Sequence, residues 1–158
     1  MNGKIIGIFI VGVALIAGAV IYYLQEYAFY QKVVVTPGQP QIELTSRVTG
    51  QPVPIAVEDF RAIDSQSSPI RFRACFTVLK SPVPLTDSYE IYDDPVPLTG
   101  PRWFDCYDAG KIGTALENGD AIAFLSQKDI HDGVDRVVAV FPDGRAFAWH
   151  QLNGKYKE

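Results

Sequence analysis

Histidine, cysteine and methionine are scarce in these 158 residues: two, two and one. Two histidines at distant positions, His131 and His150, leave no paired-imidazole metal motif. Cys75 and Cys106 stand too far apart for a C-x-x-C redox pair, and neither belongs to a C-x-x-C-H haem attachment. A cationic surplus is also missing. The net charge is −4 and the pI about 5.1. That excludes nucleic acid as a main partner, because binding phosphates requires clustered Lys and Arg. There is no G-x-G-x-x-G, and no G-x-S-x-G nucleophile elbow. Gly110–Thr114 has the flavour of a phosphate loop without the order G-x-x-x-x-G-K-[ST]. Eleven prolines and thirteen glycines are too scattered for collagen and too few for a disordered chain. No cofactor is called for.

What is present divides in two. Mean hydropathy is +0.06, high for a chain that is 20% charged, and the excess lies in the first thirty residues. Ile5–Leu24 carries no charge. At 1.5 Å per residue, a helix over it spans about 30 Å, the thickness of a bilayer's hydrocarbon core. The segment is apolar on every side, which favours a membrane helix over a buried core helix. A cleaved signal peptide is the rival, with Ala17-Gly18-Ala19 as a small-x-small site. The apolar run continues beyond that site to Leu24, which favours an uncleaved anchor. Lys4 precedes the run, and Glu26 comes before the next cation, Lys32. The charge bias expects an inner-membrane protein with its N-terminus in the cytoplasm and its C-terminal domain in the periplasm. Tyr22, Tyr23, Tyr27, Phe29 and Tyr30 form an aromatic collar at the headgroup level, or pack on the domain that follows. Besides lipid, other transmembrane proteins are expected partners. Gly3/Gly7 and Ala14/Gly18 are small residues four apart, the spacing that lets a second helix approach closely.

Residues 1–30 thus read as anchor and collar, and residues 31–158 as one soluble domain. Removing Lys4 and Glu26 from totals of 14 and 18 leaves that domain 13 cations against 17 carboxylates. Strand signals dominate it. Short or alternating β-type runs lie at Lys32–Thr36, Gln41–Val48 and Ser88–Tyr92. In Ile70–Leu79 a period of two puts Ile70, Phe72, Ala74, Phe76 and Val78 on one face, and Arg71, Arg73, Cys75, Thr77 and Leu79 on the other. Ala121–Leu125 is continuously apolar and reads as a central strand. Val134–Phe141 and Arg145–Leu152 flank Pro142-Asp143-Gly144, a hairpin turn. One helix is expected from a cap at Asp105 to a stop at Asn118-Gly119, burying Ala109, Ile112, Ala115 and Leu116. The fold class is α+β: an N-terminal transmembrane helix, then a mainly antiparallel sheet with one packed helix. Three Pro-Val-Pro triplets, at 52, 82 and 95, read as stiff connectors, with a polyproline ligand as the alternative.

The chemical candidates are few. Cys75 and Cys106 can form a disulfide contributing on the order of 3 kcal/mol, remain two free thiols, or supply a nucleophile at Cys106. Arg71 and Arg73 share a strand face, with Arg136 or Arg145 from other strands as further members, and are candidates for an anion, or for pairing with local carboxylates. Asp129, His131, Asp132 and Asp135 are a possible metal loop, or a solvated acidic turn. In the last strand Trp149 is expected inward and His150 outward.

Five stretches together carry a resemblance: Tyr22–Tyr30, Ala62–Phe76, Trp103–Tyr107, Asp135–Ala139 and Trp149–Tyr156. Over nearly its whole length the chain resembles an uncharacterised alphaproteobacterial family of single-pass membrane proteins, a domain of unknown function. Some of its members are labelled "histidine kinase". That label has no counterpart here: a kinase needs a further ATP-binding domain and a histidine in a helical hairpin. The resemblance implies an anchored protein and supplies no catalytic residues. The leading expectation is a non-enzymatic, membrane-anchored envelope protein, an accessory subunit or assembly factor of a membrane complex. The alternatives are a periplasmic ligand-binding or sensory module for a small anion or metal, and a thiol or hydrolytic enzyme built on Cys106.

Overall fold

The computed structural model describes residues 2–36 and 38–156. Helix α1, Gly3–Tyr23, buries none of its residues and closes in a π-helical stretch, Leu24–Ala28. The helix is long and apolar enough to be a membrane anchor or a signal sequence.

Among the described residues eight strands follow: β1 (Gln31–Lys32), β2 (Glu43–Thr45), β3 (Pro52–Pro54), β4 (Val57–Asp64), β5 (Arg73–Val78), β6 (Ile122–His131), β7 (Val134–Val140) and β8 (Arg145–Leu152). Six make one antiparallel sheet in the order β1-β4-β5-β8-β7-β6, and β2 pairs with β3 as a separate hairpin. The architecture is α+β, as the strand patterning predicts. Besides the expected helix there is a shorter one. These are α2 (Pro82–Ser88) and α3 (Ala109–Asn118).

Both faces of the sheet are covered, so there are two cores. On one face Phe72, Ala74, Phe76, Val78, Val138 and Ala148 pack against Ile42 and Leu44 from the β2 region and Leu85 from α2. On the other, Cys75, Val137, Phe147 and Trp149 pack against Phe104, Tyr107 and Ile112. The period-two reading therefore holds over Phe72–Val78, and both faces of β5 are covered; the strand is shorter than the 70–79 run, with Ile70 and Arg71 ahead of it and Leu79 exposed past its end.

This double cover overturns one expectation. Trp149 and His150 point to opposite faces, yet both are buried, at 0% and 1% exposure. Three further differences have local causes. Ala121–Leu125 opens an edge strand rather than a central one. It is buried because the 90–92 segment hydrogen-bonds along it and β2 is tied to Ser126 by two side-chain bonds. Ser88–Tyr92 is not a strand. It ends α2 and then makes single bridges, Ser46 to Tyr89 and Ile91 to Phe124. The cap of α3 is Asp108, whose carboxylate accepts from the Lys111 amide at 3.1 Å, so Asp105 lies outside the helix. The Pro142–Gly144 turn is as expected, with Gly144 at φ +88°. A side chain there would meet the Val78 carbonyl at 2.7 Å, so glycine is required twice over.

Candidate functional site

The end of the apolar helix docks on the sheet domain through one loop. The indole N–H of Trp103 donates to the Glu26 carbonyl, and the Glu26 carboxylate accepts from the Arg102 amide at 3.0 Å. The Tyr27 ring stacks on Trp103 at 6.4 Å, and Tyr30 meets the indole edge-on at 6.2 Å. Arg71 lies with its guanidinium 5.4 Å from the Tyr30 centroid. The aromatic cluster after the apolar run is thus partly a docking surface for the domain. Tyr22, Tyr23, Tyr27 and Phe29 also keep exposed ring area. Sequence reasoning missed Trp103 and Glu26 as the joint. Their signal, an isolated tryptophan in a loop and a single carboxylate after an apolar run, is too weak to pair them.

That joint is clamped from below. Cys106, three residues after Trp103, is bonded to Cys75 in the middle of β5, with Cα atoms 6.3 Å apart. The described residues include no free thiol. The disulfide closes a loop in the unfolded chain and contributes on the order of 3 kcal/mol on the chain-entropy argument. It also holds the Trp103 loop against the sheet.

Arg71 and Arg73 do not form an open cationic face. Arg73 is 3% exposed. Its Nε donates to the carbonyls of Leu98 and Thr99, and its terminal nitrogens to those of Ile70, Phe72 and Thr99. Burial lowers its pKa. It fastens the 98–99 segment to the sheet and stacks over Tyr107 at 5.7 Å. Arg71 keeps one buried nitrogen, Nη1, without a partner among the described residues.

The 129–135 segment is a hairpin turn in which the carboxylates serve the chain itself. Asp129 Oδ1 accepts from the Gly133 amide and the Asn153 side chain, and these bonds hold its carboxyl below the usual carboxylate range, Asn153 contributing most. Asp135 is 4% exposed and accepts from the Asp129 amide, Asn153 and the Tyr92 hydroxyl. Asp132 is turned to Lys155 and Tyr156. Among the described residues no group of three His, Cys, Asp or Glu side chains has the placement to hold a metal. Gly3, Gly7 and Gly18 face open space along α1, where an added methyl would touch nothing.

Residues 42–158 match a family of unknown function, DUF6446. The chain belongs to that family. The match takes in the hairpin β2–β3, the whole of the sheet beyond β1, and both cysteines, and it begins after the apolar helix and its collar. It agrees with the resemblance in pointing to a family without an assigned function. It carries neither a source organism nor a kinase label. No curated protein and no solved structure matches the chain.

Proposed function

We propose that this member of DUF6446 is a non-enzymatic, single-pass membrane protein. Its N-terminus lies in the cytoplasm and its domain in the periplasm, against the bacterial inner membrane. It acts there as an accessory subunit or assembly factor of a membrane protein complex. The observation that carries this reading is the joint between Glu26, Tyr27, Tyr30 and Trp103. A domain fixed to its helix end presents helix and domain as one continuous surface to a neighbour, which a flexible tether does not. The small-residue positions of α1 are open to a second helix. The disulfide fits an oxidising compartment. It also occupies Cys106, the thiol on which the enzyme alternative was built, and that residue lies outside α3.

The test is mild-detergent extraction from the native membrane, followed by native-size analysis and mass spectrometry. The expected result is an assembly larger than the monomer with a stoichiometric membrane partner. Gly18→Ile should release that partner while the Cys75–Cys106 disulfide stays intact. A monomer free of co-purifying membrane protein would sink the proposal.

A further inference from the structure

Arg73 spends its whole guanidinium on backbone carbonyls, whereas an arginine on the opposite, first face of the sheet keeps its terminal nitrogens unpaired. Arg136, on β7, is paired in register with His150 on β8. Its Nε donates to His150 Nε2 at 3.0 Å. Because arginine only donates, that imidazole nitrogen must be the acceptor. The other, Nδ1, then carries the proton and donates to the Pro69 carbonyl at 2.7 Å. The imidazole is thereby locked in one tautomer, and burial first, then Arg136, pushes its pKa down to about 3. A neutral, immobile histidine thus orients the guanidinium. Phe72 supports both, lying 4.1 Å from the guanidinium carbon and stacked on the imidazole at 4.7 Å.

The two terminal nitrogens of Arg136 have no hydrogen-bond partner and no carboxylate within 4.0 Å among the described residues. They are not sealed in the core either. Arg136 lines a cavity of about 250 Å³ whose apolar walls include Val33, Val35, Phe60 and Phe72. A guanidinium held largely out of water with no carboxylate in hydrogen-bond reach is costly: burial lowers the pKa of this one to about 10, and Asp64 and Glu43 offset that only in part, from farther off. It stays charged at neutral pH.

We propose that this cavity binds a small monocarboxylate with an apolar body, its carboxylate gripped by the free fork of Arg136. The planar fork matches a carboxylate with two parallel bonds. Fixing it on His150 and Phe72 removes the ordering cost on binding. The apolar walls take the body of the ligand. Asp64, also in the wall, already acts on Arg136 from a distance, so the site has charge to spare for one carboxylate only, which sets a monocarboxylate apart from phosphate or a tricarboxylate. This site does not depend on the proposed membrane partner.

The test uses the full chain in detergent with benzoate as probe, and with acetate, benzamide and phosphate as controls, read by thermal shift and titration calorimetry. Benzoate should bind saturably, and acetate at least about tenfold more weakly for want of buried apolar area. Benzamide and phosphate should not saturate. Arg136→Gln should weaken benzoate about tenfold or more, the loss of a charge-assisted pair. Val35→Trp should fill the cavity and abolish binding with the arginine in place, which covers the case of Arg136→Gln failing to fold. In the unaltered protein, benzoate should slow phenylglyoxal modification of Arg136, followed by peptide mass spectrometry. The proposal is overturned by any of three results: no saturation by benzoate up to about 10 mM, equal binding of benzamide, or undiminished binding to Val35→Trp.

Discussion

His150 is the residue whose environment most departs from what its neighbours in the sequence foretell. Alternation in a strand makes one of Trp149 and His150 inward, and tryptophan is the greasier. The histidine is nevertheless buried, because the second face of the strand is also covered and Pro69 and Arg136 supply both of its polar partners. Its acid response follows. Folded, the imidazole has a pKa of about 3; unfolded, it titrates near 6.5. Between these values the unfolded chain binds more protons than the folded one. The contribution is fully present above pH 6.5 and is lost as pH falls, at up to about 1.4 kcal/mol per pH unit. The charged and titratable groups acting on it are Arg136, His131 and Arg73, and all of them oppose protonation. Asp108, Asp129, Asp132 and Asp143 have pKa values below the ordinary carboxylate value, so their losses come at lower pH. The thermal midpoint of the full chain should therefore drop between pH 7 and pH 5, and His150→Gln should flatten that drop. An equal drop in the variant would show that another group is responsible.

At the scale of elements, the same five residues, Pro-Val-Pro-Leu-Thr, occur at 82–86 and 95–99 and fold differently. The first opens α2, where prolines are tolerated because first-turn amides need no intrahelical partner. The second stays irregular, held by Gln151 on the Val96 amide and by Arg73 on the carbonyls of Leu98 and Thr99. The difference comes from what lies beside each copy. Leu85 is 3% exposed in the first core, whereas Leu98 is only partly covered. Leu85→Ala should cost about 2–5 kcal/mol and Leu98→Ala markedly less, measured by denaturant unfolding. Equal costs would refute the assignment. Elements whose cue is purely local were legible in the chain: the alternation of β5, the Pro-Asp-Gly turn, the Asn-Gly stop of α3. Elements decided by a distant partner were not. These include α2, the edge position of β6, and the orientation of Arg73, whose five bonds go to carbonyls on both sides of it in sequence.

The whole molecule joins an unburied apolar helix to a two-core domain by a single loop. Of the candidate sites, the sequence displayed the cysteine pairing as one option among three. It also displayed the small-residue face, which a periodicity of four makes visible. It did not display the Trp103–Glu26 joint or the Arg136 cavity, since each assembles residues that only the sheet order brings together. The joint makes a mechanical prediction. Trp103→Ala should free the helix end from the domain and raise amide exchange around Glu26–Tyr30. The domain's own unfolding midpoint should change little, because Trp103 lies at the margin of the second core. Unchanged exchange would mean that the joint does not couple the two parts.

Where to cut the chain for expression is settled by β1 and not by the family boundary. A fragment beginning at residue 42 discards Gln31–Val33, which hydrogen-bond along the end of β4 as far as the Ala62 carbonyl. It also strips Tyr27 and Tyr30 from Trp103 and removes the Val33 and Val35 wall beside Arg136. Such a product carries an open strand edge next to a bare indole, a pairing that invites self-association in the tube. A soluble version has to start near Leu24 to keep the lining of its own pocket.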